Sequence, residues 1–176
     1  MIDDSYYLDG GFHDYIPANS LLEKGYDKVY VIDLEAIGIR RPYSDRKKIV
    51  VIKPSRKLGS ILDIKKNDIR NNIKMGYYDT LRVLKDFDGK KYIFKKRSLW
   101  YYEYLLKSVN DLDKKEMMKF FGTKNAKRLV IKALEFVMKK ENFTYFNIYK
   151  AKDVIKRIRY VDKNYGVYKF VKNMNV

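Results

Sequence analysis

Apolar positions along this chain change period several times, and each change marks an element. Ser5–Leu8 is a short β-prone run with two tyrosines and a leucine. Beyond Gly10-Gly11, Pro17 opens a stretch in which Ala18, Leu21 and Leu22 recur at helical spacing. Gly25 closes it, so a helix is expected over Pro17–Lys24. Lys28–Leu34 is almost continuously apolar, the pattern of a parallel strand covered on both faces. These three segments predict one βαβ unit. A polar loop through Gly38, Arg40, Arg41 and Pro42 leads to a second short buried strand, Ile49–Ile52, stopped by Pro54. In residues 66–85, Ile69, Ile73, Gly76, Tyr77, Thr80, Leu81 and Leu84 recur at three and four, predicting a helix with Asn67 or Asp68 as its N-cap. Asp88-Gly89 signals a turn before the strand-like Tyr92-Ile93-Phe94.

After Lys96 the pattern becomes mainly helical. Trp100, Tyr101, Tyr104 and Leu105 have helical spacing, and Lys115–Phe121 is a short helix closed by Gly122. Thr123 is placed to cap the longest helix, whose apolar face is Leu129, Val130, Ala133, Leu134 and Val137. Asp153–Tyr160 predicts a last helix, and Tyr165–Phe170 is β-prone. The expected architecture is α/β over residues 1–96, followed by a helical C-terminal extension over 97–176.

Composition narrows the function classes. With 46% apolar residues in 176, the chain has material for a core. It has no cysteine, so disulfides and thiolate–metal sites are excluded. The acidic start, Met1-Ile2-Asp3-Asp4, is not that of a signal peptide, and no run approaches the ~20 apolar residues of a membrane helix. A cytoplasmic protein, free or peripheral at a membrane, is expected. Of 39 basic and 22 acidic side chains, five and nine lie in residues 1–46, a net −4. The remaining 34 and 13 give residues 47–176 a net charge of +21. Such asymmetry fits either a lysine-rich solvated surface or contact with an anionic partner.

The densest candidate chemistry is Tyr7-Leu8-Asp9-Gly10-Gly11-Phe12-His13-Asp14-Tyr15-Ile16-Pro17. One carboxylate stands at a strand end, where open α/β sheets place their sites, and two glycines allow a sharp turn behind it. This corner resembles the C-terminal part of bacterial patatin-like phospholipases. In that family an Asp-Gly-Gly or Asp-Gly-Ala motif carries the aspartate of a Ser–Asp dyad, and Asp9-Gly10-Gly11 matches it. Asp14 and Ile16-Pro17 match the polar residue and hydrophobic-Pro pair that follow. Leu21-Leu22-Glu23-Lys24-Gly25 and Val29-Tyr30-Val31-Ile32-Asp33 match the next helix, glycine and strand. Leu58-Gly59-Ser60-Ile61-Leu62-Asp63, Ile69-Arg70, Ile73, Gly76-Tyr77 and Asp79 resemble the end of the domain, so the likeness covers roughly residues 5–96.

The resemblance implies part of a three-layer α/β/α domain and hydrolysis of lipid acyl esters. A serine would attack the ester carbonyl, Asp9 would take its proton, and water would release the fatty acid. It implies no metal and no organic cofactor, with backbone donors stabilising the oxyanion. The chain departs from the family in one respect. The nucleophile belongs in an upstream Gly-x-Ser-x-Gly and the oxyanion hole in an earlier glycine-rich loop, yet none of the seven serines is flanked by glycines at i−2 and i+2. With eight residues before Asp9, the chain reads as the downstream part of such a protein, meeting a lipid ester only through an N-terminal half that it lacks.

Other residues invite chemistry less. His13 is the only histidine, four residues from Asp9; a Ser-His-Asp triad needs a serine and a metal site needs a second ligand, so a loop histidine is expected. Asp33 and Glu35 read as support for a strand end, and Gly38–Pro42 as a solvated basic loop in preference to a phosphate contact. Tyr101, Tyr102 and Tyr104 among lysines imitate a nucleic-acid surface, but no nucleic-acid motif accompanies them and core packing is expected. Met117-Met118-Lys119-Phe120-Phe121 reads as local core, not as a lipid-contacting ridge. The competing reading of the whole is a non-catalytic basic module that binds anionic lipid surfaces.

Overall fold

A computed structural model of the chain describes residues 9–59 and 65–176. It is a mixed α/β structure of helices and two small parallel sheets, divided into two compact units, residues 1–64 and 65–176. The predicted strand Ser5–Leu8 and part of the Leu58–Asp63 segment lie outside the described residues.

In the first unit, α1 (Ala18–Glu23) follows Pro17, and Gly25 ends that turn with φ +86°. β1 (Val29–Ile32) and β2 (Ile49–Ile52) pair in parallel, Val29 opposite Ile49 and Ile32 opposite Ile52. Val29, Val31, Ile49 and Ala18 form a small core, with Ile16, Leu22, Tyr43 and Val51 packed on its edge. β1 was expected to be covered on both faces. Only Val29 and Val31 are buried, while Tyr30 is 50% and Ile32 68% exposed. The apolar run supplies two apolar faces, and among the described residues only one has neighbours.

The second unit begins with α2 (Lys66–Leu84), the predicted helix 66–85 and, among the described residues, the longest. Its N-cap is Lys65, and Asp68 sits in the first turn, where a carboxylate favours the helix dipole without capping it. β3 (Ile93–Phe94) follows, then α3 (Leu99–Leu106), α4 (Asp111–Phe121), α5 (Ala126–Lys140), β4 (Ile148–Tyr149), α6 (Ala151–Arg159) and α7 (Gly166–Lys172). β3 and β4 pair in parallel. α5 is the hub, packed against α3, α4, α6 and α7. Its predicted face, Leu129, Val130, Ala133, Leu134 and Val137, is fully buried, as are Tyr92, Phe94, Leu105, Ile155 and Ile158.

Besides the N-cap of α2, further expectations are corrected in this unit: the helix expected to be longest, α5, has 15 residues against 19 in α2. In packing, residues 65–96 go with the helices of 97–176, because β3 pairs β4 and the turn before it bonds to α5. Asn125, not Thr123, caps α5: Asn125 Oδ1 accepts the Arg128 N–H at 2.9 Å, while Thr123 Oγ1 accepts the Asn125 N–H. Tyr165–Phe170 is not extended but lies largely in α7. Val167, Tyr168, Phe170 and Val171 are buried there at helical spacing, so packing overrides β-propensity.

Candidate functional site

Asp9 precedes a single 3₁₀ turn, Gly10–Phe12, and its Oδ1 accepts the Gly11 N–H at 2.7 Å. The residue is exposed, and its other carboxylate oxygen has no hydrogen-bond partner among the described residues. Neither Gly10 nor Gly11 uses the left-handed backbone that glycine permits. At Gly11 the need is space, since a Cβ would stand 3.2 Å from Asp9 Oδ1. Asp14 turns back in the same way onto the Ile16 N–H, at 3.1 Å.

The loop after β1 docks against this corner. Ile39 N–H donates to Gly11 O at 2.9 Å and Tyr15 N–H donates to Ile39 O at 3.0 Å. Gly38 lies so close that a Cβ would meet Gly11 O at 3.0 Å and Tyr15 Cβ at 3.1 Å, so the approach favours glycine. Arg41 Nε donates to His13 O at 3.3 Å, and Arg41 Nη2 lies 3.1 Å from His13 Nδ1. Because guanidinium can only donate, that ring nitrogen accepts. His13 makes no hydrogen bond to Asp9 among the described residues.

The same loop holds a second carboxylate. The parallel strands end side by side, with Asp33 N–H donating to Ile52 O at 2.9 Å. The buried Asp33 accepts the Glu35 N–H at 2.9 Å through Oδ1, and through Oδ2 meets Arg40 Nη1 at 3.1 Å and Lys53 Nζ at 3.0 Å. Glu35, in left-handed backbone at φ +58°, makes the turn. The basic loop is therefore not simply solvated: Arg40 pairs with Asp33 and donates to Tyr43 Oη at 2.9 Å, and Arg41 is held by His13. Asp33 is the strand-end support anticipated, but its two cations were not. Burial pushes its carboxyl up, yet the Glu35 N–H, Lys53 and Arg40 together hold it below the usual carboxylate range.

Asp33 accordingly predicts acid sensitivity. A carboxyl that titrates lower in the folded state contributes fully above its unfolded value, about 3.9, and less as pH falls through the folded value. The Asp33 carboxyl carbon resonance should titrate below that of an unstructured aspartate, and Asp33→Asn should flatten the acid limb of the stability curve of residues 1–64. A midpoint at or above the ordinary value would contradict the ion-pair account.

In residues 65–176 the aromatic positions divide. Tyr102 is fully buried, and its hydroxyl donates to Asp88 Oδ2 at 2.8 Å; burial and that carboxylate push its ionisation up. Tyr104 is partly exposed and stacks on the exposed Trp100, ring centres 5.9 Å apart. Met117 is core, but Phe120 is 60% exposed.

Sequence reasoning missed a cleft of about 1050 Å³ between α5, the Phe87–Lys91 turn and Phe121. Two acids in its wall are already engaged. Asp88 is ion-paired with Lys127 and accepts the Arg97 N–H at 3.0 Å. Glu135 Oε1 accepts three successive backbone N–H groups, from Lys90 at 2.6 Å, Lys91 at 2.7 Å and Tyr92 at 3.2 Å. The available signal was the α5 stripe Arg128, Ile131, Lys132, Glu135, Phe136, Lys139, in which two apolar residues interrupt a polar face.

Among the described residues no three histidine or carboxylate side chains gather as metal ligands would, and no helix is long and apolar enough to cross a membrane. No family model, curated protein or solved structure matches this chain.

Proposed function

We propose that this chain is the downstream part of a patatin-like lipid acyl hydrolase, with Asp9 as the base of a Ser–Asp dyad whose serine comes from outside the chain. The observation that carries the reading is the state of Asp9: one carboxylate oxygen of this exposed residue accepts the Gly11 N–H, and the other has no hydrogen-bond partner among the described residues. A general base needs that arrangement, being oriented by its own loop and open to a hydroxyl within about 2.6–3.2 Å. Gly11 leaves room for the Asp9 carboxylate, and the 38–41 loop braces the corner.

Two further observations support an incomplete site. The sequence holds no glycine-flanked serine, so it offers no nucleophile of this type. In β1 and the loop after it, the apolar Tyr30, Ile32, Leu34, Ile37 and Ile39 are all at least half exposed, apolar surface that a neighbour could cover. The experiment is ester turnover by the chain alone and by the chain joined to a patatin-type half bearing Gly-x-Ser-x-Gly. The chain alone should be inactive and the joined protein active on short-chain esters. Robust turnover by the isolated chain would overturn the proposal.

A second reading, a basic module on anionic lipid surfaces, has its own observation. Residues 1–64 hold ten basic and ten acidic side chains, so the entire net charge of +17 lies in residues 65–176. Each basic residue near an anionic bilayer contributes about 1 kcal/mol, and the Debye length falls from about 10 Å at 0.1 M salt to about 3 Å at 1 M. Binding to anionic vesicles should therefore collapse over that salt range. Equal binding to neutral vesicles would eliminate this reading.

A further inference from the structure

We infer that the cleft on α5 is a binding site for one single-chain amphiphile with an anionic head, an inference argued from the lining of the cleft and resting on neither reading of the whole chain. The floor is apolar: Phe87, Phe121, Ile131 and Phe136, each half-buried, so their free faces look into the cleft. The volume, about 1050 Å³, is at the upper end of the range for small-molecule sites. Such a floor favours alkyl chain over polar ligand, because apolar surface leaves water on binding.

The rim is cationic and largely uncommitted. Lys127 is spent on Asp88, and Lys132 Nζ donates to Phe121 O at 2.6 Å. Lys90, Lys91, Arg128 and Lys139 also line the cleft, are exposed, and have no ion-pair partner among the described residues. Lys127 neutralises Asp88, and Glu135 turns Oε1 onto three backbone N–H groups, so the cations of the lining outnumber the one carboxylate left without a cation. Uncommitted cations above an apolar floor match a head-and-tail ligand, not an ion alone and not a neutral oil.

Length and charge select among occupants. Arg128 and Lys139 are eleven residues apart on one face of α5, roughly 16 Å at the helical rise, the reach of an extended alkyl chain of about a dozen carbons. A second copy of this chain is a poor occupant, because it brings the same +17 charge.

The test is calorimetric titration of the full chain with dodecyl phosphate and dodecanoate below their micellar concentrations, beside inorganic phosphate and dodecanol. One amphiphile should bind per chain, with either anionic head. Inorganic phosphate and dodecanol should each bind at least tenfold more weakly. Shortening the tail should cost about fourfold per methylene. Arg128→Glu with Lys139→Glu, both exposed and without an ion pair among the described residues, should weaken binding at least tenfold with the melting temperature unchanged; Phe136→Ala should weaken it from the floor. Phosphate binding as well as dodecyl phosphate would overturn the proposal in favour of an ion site. So would dodecanol binding equally, many amphiphiles binding per chain, or indifference to the rim reversals in a folded variant. A dimer that those reversals dissociate would also overturn it, giving the cleft to a second copy.

Discussion

With a glycine-flanked serine supplied upstream, Asp9→Asn should lower ester turnover by roughly 10²- to 10⁴-fold, the usual worth of a positioned general base. Asparagine keeps the size of the side chain, and its amide oxygen can still accept the Gly11 N–H that fixes Asp9 Oδ1 at 2.7 Å. What it cannot do is take the serine proton. The corner should therefore stay folded while the chemistry fails, and substrate binding should change far less than turnover. His13→Ala should cost much less than Asp9→Asn, because the His13 ring is turned to Arg41 and makes no hydrogen bond to Asp9 among the described residues. Steady-state kinetics of the joined protein and both variants decide the matter. An equal loss from His13→Ala and Asp9→Asn would replace the dyad with a triad-like role for His13. No loss from Asp9→Asn would remove Asp9 from catalysis altogether.

What the sequence made legible was local. The face of α5 from Leu129 to Val137 repeats at the helical period without interruption, and packing had only to bury it. Gly122 stops α4 in left-handed backbone at φ +58°, as its position after Phe121 predicted. Illegible were the features that depend on pairs far apart. Asp33 was visible as a strand-end carboxylate, but its partner Lys53 arrives only through the parallel register that sets Ile32 opposite Ile52. Glu135 lies 45 residues from Lys90, so nothing local connects its carboxylate with the N–H groups it accepts. In α7 two local signals competed: tyrosine, valine and phenylalanine favour strand, while their spacing at 167, 168, 170 and 171 favours helix. Burial against the helical core decided for the spacing. Asp9 was legible as an unusual corner because the residues that shape it are adjacent. Its brace was not, because Gly38 and Arg41 come from a loop whose docking no periodicity announces.

Gly89→Ala should be the most damaging single-methyl change in residues 65–176. Gly89 sits at φ +98°, and a Cβ there would lie 2.1 Å from Tyr92 O and 3.0 Å from a ring carbon of Phe94. The first atom is backbone, so no side chain can swing aside. The backbone conformation alone costs a non-glycine residue roughly 1–3 kcal/mol. Relieving the clash must also move the turn whose Lys90, Lys91 and Tyr92 N–H groups converge on buried Glu135. Hydrogen bonds to a charged group contribute about 1.5–3 kcal/mol each, so weakening even one brings the expected loss to roughly 3–5 kcal/mol. At about 4–8 °C per kcal/mol for a small domain, the melting temperature should fall by at least 10 °C. Gly76→Ala is the matched comparison. Gly76 lies within α2, is exposed, and an added Cβ there would meet nothing within 4 Å. That substitution should stabilise by about 0.5–1 kcal/mol, because glycine is the costlier residue inside a helix. Thermal melts of the two variants should thus move in opposite directions. A Gly89→Ala protein that melts with its parent would mean that the turn does not hold Glu135 as described.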